Sequence, residues 1–432
     1  MSLHALTLAA VAALALAGGG PRQDAREVRG GPERRVDWFE GTFDELLAAG
    51  RESERPILVH FWAHWSERSA RVERTVLRDA EVLGRLDDYL CFSIDTDVHE
   101  LVPSTGRYGV TAVPCFVFLE PDGSPRDKLP TYLPTYRFLQ ELERIGRGQG
   151  TLPALRAAIE RDGDDLIAPL ELAIALRAFG QHEEPGLLVD SVRERLERGG
   201  GGEPRDLDAR WVLAQKLRDA RAPDLYEEQM AAIERSDPER KTRAGRAVAI
   251  ERAIAHLRES LDEGPLRALL EEERDPELCY QGWAWVRGLR RHYLAQKAAE
   301  RREFHAGEGE EEQAAAAEAE RVQHERAARE ASRKAWASAP DEFRGEFGDD
   351  LVRNHYAARA QLSDEERKFA LSVAERIVAI APREARYRDA YACALFAAGR
   401  IERAIEQARA SLELDPGDEQ VRARLAEFEA AR

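Results

Sequence analysis

The stretch Pro56-Ile-Leu-Val-His-Phe-Trp-Ala-His-Trp-Ser-Glu-Arg-Ser69 constrains this chain more than any other. Ile57 to Trp62 holds five apolar or aromatic residues around one histidine, His60. So apolar a run, without alternation, reads as a buried parallel strand. Ala63-His64-Trp65 then makes a short turn, and Ser66 opens a polar segment that reads as a helix start. Serine suits that place because its hydroxyl accepts a hydrogen bond from an otherwise unpaired amide of the first helical turn.

The flanking residues supply the rest of an α/β unit. Thr42 to Gly50 reads as a capped helix in which Thr42 is the N-cap, Glu45 completes a capping box and Gly50 is the stop. A second helix is predicted from about Ser66 to Leu77, with strands at Leu90–Asp95 and Cys115–Leu119. Pro121-Asp-Gly-Ser124 is a turn, since proline presets φ and glycine accepts a positive one. Residues 134–147 close the unit as an amphipathic helix with Phe138, Leu139, Leu142 and Ile145 on one stripe.

Over residues 36–148 this order resembles thioredoxin-like domains, whose central strand ends in a Trp-Cys-x-x-Cys turn at a helix N-terminus. Here the motif stands as Trp65-Ser66-Glu67-Arg68-Ser69, with serine at both cysteine positions. Val113-Pro114 precedes the third strand, where the family carries a cis-proline facing the turn, and the Phe-x-Phe-Leu-x-Pro-Asp-Gly run at 116–123 also fits. The segment Thr75-Val-Leu-Arg-Asp-Ala-Glu-Val82 is similar to one found in exported members. The resemblance implies a thioredoxin fold and a groove in which the backbone of Val113, beside Pro114 and Trp65, pairs with an extended peptide. It implies equally that the family's chemistry is gone, because a serine hydroxyl forms no disulfide.

Other chemistry is sparse. His64 lies close enough in sequence to act as a base for Ser66, but no acidic orienter and no oxyanion hole is legible, so Ser66 reads as a helix cap. By the resemblance, His60 stands where many thioredoxins bury an acid, Cys91 takes the place of that acid's lysine neighbour, and Cys115 follows the expected cis-proline. Cys91 and Cys115 would then lie on strands flanking that of His60, about 9–10 Å apart. A disulfide needs Cα atoms within about 7 Å. Both read as small buried residues; the alternative is Cys115 as a lone reactive thiol, which would make the protein a thiol-disulfide oxidoreductase. His60 and His64 fall on a strand and its turn, a poor metal pair. No metal and no cofactor is expected.

Beyond Gly150 helical periodicity takes over. Ala173-Ile-Ala-Leu-Arg-Ala-Phe-Gly-Gln181 and Ala392-Cys-Ala-Leu-Phe-Ala-Ala-Gly-Arg400 share one pattern, and Pro382 and Pro416 follow similar helices 34 residues apart. That is the period of the tetratricopeptide repeat, which these segments resemble, with Ala404 at its small position, Gly399 in its turn and only Ala408 at its large aromatic one. Paired helices of this kind bury their faces on one another and offer a surface to protein partners. The expected divisions are helical hairpins at 151–198, a flexible joint at Gly199–Gly202, a helical region at 203–295, a charged solvated helix or insertion at 296–338, and repeats at 339–432. The insertion, broken near Gly307 and Gly309, has an exposed interaction arm as its alternative reading.

Composition narrows the function. A formal charge of −17 over 432 residues argues against a nucleic-acid binder, since phosphate backbones recruit a Lys/Arg excess. Ala5 to Ala17 is apolar except for Thr7 and ends in the small-x-small form Ala15-Leu16-Ala17. Its 13 residues fall short of the roughly 20 of a membrane span. Residues 1–17 therefore read as a cleaved export signal, with an uncleaved anchor as the lesser alternative, and 18–35 as a disordered linker. The expectation is a periplasmic or extracellular protein. It pairs a thioredoxin-like α/β domain lacking its dithiol with an all-α repeat region, and binds proteins or extended peptides.

Overall fold

A computed structural model describes residues 35–98, 102–198 and 206–432. The expected signal, nearly all of the linker and the Gly199–Gly202 joint lie outside the described residues. Two compact units are present, one ending at Met230 and one beginning at Ala231.

The first unit is built on a four-stranded sheet, β1 (Ile57–Trp62), β2 (Leu90–Asp95), β3 (Cys115–Leu119) and β4 (Pro125–Leu129), in the order β2-β1-β3-β4. β1 pairs parallel with β2 and antiparallel with β3. Helix α1 (Phe43–Ser53) has the predicted capping box between Thr42 and Glu45. Helix α2 (Glu67–Arg74) begins after Ser66, as expected, but ends at Arg74 rather than Leu77. A single 3₁₀ turn follows, and Asp79 recaps the chain into α3 (Ala80–Leu86) by accepting from the amides of Glu81 and Val82. Helices α4 (Val102–Arg107) and α5 (Thr135–Gly146) complete the α/β order.

Strict alternation along β1 divides the core in two. Ile57, Val59 and Phe61 pack with Leu46, Leu47, Cys115, Val117 and Leu119 on one face. Leu58 packs with Val72, Val82, Cys91, Phe116 and Phe138 on the other. The first face is not closed at residue 148. It continues into Leu152 and Leu155 of α6 (Leu152–Arg161) and Leu172 and Leu176 of α7 (Ile167–Ala178), so one core runs through the end expected for the domain. Lys128 of β4 strengthens the join: its buried ammonium donates to the carbonyls of Tyr108 (3.0 Å), Gly109 (2.6 Å) and Ala178 (2.6 Å). Gly109, at φ +57°, permits the approach, because a Cβ there would lie 2.5 Å from the carbonyl carbon of Phe179. Helices α8 (Glu183–Glu197) and α9 (Leu207–Asp219) add a further apolar cluster around Leu170, Val192, Leu213 and Leu217.

The second unit is helical. From α11 (Arg243–Ser260), counting Pro223–Ser236 as α10, the order is α12 (Gly264–Glu272), α13 (Pro276–Gly288), a π-helical stretch at Leu289–Ala295, α14 (Gln296–Gly307) and α15 (Glu311–Ser338). The break at Gly307 and Gly309 is where glycine predicts it; α14, in the range read as a charged solvated helix or insertion, is largely exposed, whereas α15 buries one face. Ala317, His324, Ala328, Ala331, Ser332 and Ala335 of α15 are buried, and α15 packs along α13 and α14. Alanine lets helix axes approach closely, and a search for large apolar residues overlooks such a face. The C-terminal helices are α16 (Asp341–Ala357), α17 (Asp364–Ile380), α18 (Ala385–Ala397), α19 (Ile401–Leu414) and α20 (Glu419–Ala430). α18 and α19 pair across Gly399, with Ala404 and Ala408 fully buried. No described helix is long and apolar enough to cross a membrane.

Candidate functional site

Parallel pairing of β1 with β2 sets Trp62 opposite Asp95, so the turn at 63–66 emerges beside the end of β2. Two carboxylates there hold the turn. His64 Nε2 lies 3.1 Å from Asp95 Oδ2, and the indole N–H of Trp65 donates to Asp97 Oδ1 at 3.1 Å. The Asp97 amide donates in turn to Asp95 Oδ1 at 3.0 Å. Trp65 is thus anchored by its edge while 73% of it remains exposed.

Ser66 and Ser69 occupy the dithiol positions at the start of α2. The Ser66 hydroxyl accepts the Ser69 amide at 3.2 Å and reaches the Val113 carbonyl at 3.5 Å. It is therefore committed to capping the helix and facing the third loop, and Ser66 is buried. The Val113–Pro114 peptide is cis, as the family resemblance implies. Val113 is half-buried, and among the described residues its backbone pairs with no other backbone group.

Beneath the turn, His60 is fully buried and stacked between Phe116 (4.5 Å) and Trp38 (6.0 Å). Burial pushes its pKa down to about 3, so the ring is neutral. Glu73 Oε1 lies 3.4 Å from Nδ1, yet neither ring nitrogen has an aligned hydrogen-bond partner. Burial also raises Glu73, against Arg78, and with the imidazole neutral the contact is no ion pair. The Ser69 hydroxyl is likewise buried without a partner.

Trp65, Ser66, Ser69, Val113 and Pro114 come together at one end of the sheet; Cys115 does not join them. Its side chain turns into the first face of the core, fully buried, and burial pushes the thiol up to about 12 despite the charge of Lys128. Cys91 lies in the core of the opposite face, and burial pushes it up to about 12 as well. All four cysteines are free. Sequence reasoning missed Asp95 and Asp97. Their signal was position: the C-terminal end of the strand parallel to β1 is adjacent to the turn in space. Asp95 is the acidic orienter not legible for His64, but the Ser66 hydroxyl is already engaged as a cap. The arrangement can present an aromatic face, two carboxylates and a backbone segment at Val113 that no other described backbone group meets; it offers no thiolate.

The family described as Thioredoxin-like domain matches residues 43–146. Thioredoxin Y, chloroplastic, of Oryza sativa subsp. japonica is 31% identical over 127 residues, which is 29% of this chain and 71% of that protein. The solution structure of a thioredoxin from Thermus thermophilus is 26% identical, with a TM-score of 0.25, covering 27% of this chain and 92% of the other. A thermophilic TPR protein, also from Thermus thermophilus, is 16% identical, with a TM-score of 0.20, covering 62% of this chain and all of the other. With the strand, turn and loop arranged as the family match requires, the chain belongs, through its N-terminal domain, to the thioredoxin-like family.

Proposed function

We propose that this is an exported, non-catalytic thioredoxin-like protein that binds partner proteins or extended peptides at the end of its sheet and along its helical repeats. The observation that carries the reading is the pairing of an anchored but exposed Trp65 with Val113, whose backbone meets no other described backbone group, at a turn whose two sulfur positions are hydroxyls. An extended segment can hydrogen-bond to Val113 as an added strand while its side chains lie on the indole. Export rests on the apolar run of residues 5–17, and the scaffold role on the helical hairpins that follow the domain.

A redox role through Cys115 is disfavoured by chemistry. A thiol held near 12 is almost wholly protonated at neutral pH, and only the thiolate attacks a disulfide. Binding of a random nonapeptide mixture tests the proposal. The native chain should retain peptides and Trp65→Ala should lose most of that retention, whereas equal retention by both would remove the groove from the account.

A further inference from the structure

The turn carries a preference as well as a groove. We propose that it selects extended peptides bearing a lysine or arginine, whose cation lies over the Trp65 indole and against Asp97 and Asp95; this rests on the peptide-binding reading above. Trp65 is fixed through its N–H, which leaves the ring face open, and an open indole is the best aromatic surface for a cation. Asp97, the acceptor of that N–H, is exposed. Among the described residues neither Asp97 nor Asp95 is paired with a lysine or arginine; Asp95 has only the imidazole of His64 and the Asp97 amide. Elsewhere the described carboxylates commonly meet an arginine, as Glu67 on the first turn of α2 meets Arg74 at 2.8 Å. The two at the turn are held by an aromatic residue and an imidazole instead.

Charge complementarity extends beyond the site, since a chain of net charge −17 draws basic peptides toward it and slows the approach of acidic ones. A lysine fits the spacing because its stem lies along the indole while its ammonium reaches a carboxylate at the edge. Arg68, exposed on the first turn of α2, is the cation nearest in sequence and opposes such a peptide.

The test uses four nonapeptide mixtures, random except for a central lysine, arginine, norleucine or glutamate, titrated against the full chain at low and physiological salt. The lysine and arginine mixtures should bind about 5- to 30-fold more tightly than norleucine, and glutamate more weakly still. Asp97→Asn, whose amide oxygen can still accept from the Trp65 indole N–H, should lower the ratio of lysine to norleucine affinity several-fold, and Arg68→Ala should raise that ratio. Equal binding of the lysine and norleucine mixtures would overturn the inference and leave the peptide groove standing. No binding of any mixture would overturn the groove and this inference with it.

Discussion

His60 beneath the turn and Asp349 and Asp389 among the C-terminal helices are all buried to within 1% exposure, and they are treated in opposite ways. The aspartates are surrounded by arginines from their own and neighbouring helices. Arg353 contacts Asp349 at 2.9 Å and Asp389 at 2.7 Å, Arg386 reaches Asp349 at 2.5 Å, and Arg424 grips Asp389 with two bonds of 2.9 and 2.6 Å. Burial alone would raise Asp349, but Arg353 and Arg386 hold it below the usual carboxylate range. His60 has no such partners and gives up its charge. A matched network belongs to architecture; it ties α16, α18 and α20 together. The unmatched histidine lies under the turn, on the strand that leads into it.

The largest expected effect follows from the unmatched histidine. Its pKa falls from 6.5 to about 3 on folding, so between those values the unfolded chain binds a proton that the folded one refuses. Stability contributed by the neutral ring is complete above pH 6.5 and drains away toward pH 3, by up to about 5 kcal/mol. Glu73, raised by burial and partly exposed, works weakly in the other direction. Urea unfolding of the first unit should weaken through this window, and His60→Leu should flatten the profile. A wild-type profile already flat would show that the ring finds a partner.

Breaking the matched network should cost nearly as much. Arg353→Ala takes one of two arginines from each of two buried carboxylates, and a loss of about 3–5 kcal/mol is expected in urea melts of the helical unit. Lys128→Met comes next: it leaves three carbonyls without their donor and should cost about 1–3 kcal/mol, read in the thermal unfolding of the first unit. Trp65→Ala should be smallest in stability, within about 0.5 kcal/mol, because the ring is mostly in water. Its effect should appear in peptide binding instead.

Much of the N-terminal domain was legible because its signals are local. The apolar run of β1, the Thr42/Glu45 box and the Ser66 cap each act within a few residues. Its candidate site was legible in part: the places of Trp65, Val113 and Pro114 at one end of the sheet follow from motif order. Asp95 and Asp97 do not, since only the parallel register of β2 brings them to the turn. The shared core across Gly150 was hidden for the same reason, as nothing near Leu172 or Leu176 announces that a sheet lies against them. The small-residue face of α15 and the Arg353 network were illegible in a different way, because alanines and charges on a helix read first as solvent-facing.

The central claim is that the fold keeps a binding end and has lost its chemistry. Disulfide reduction of a model protein substrate, measured for the native chain beside Cys115→Ser, tests it most directly. The account predicts no turnover by either. Turnover by the native chain that disappears in Cys115→Ser would contradict it and make that buried thiol a redox centre.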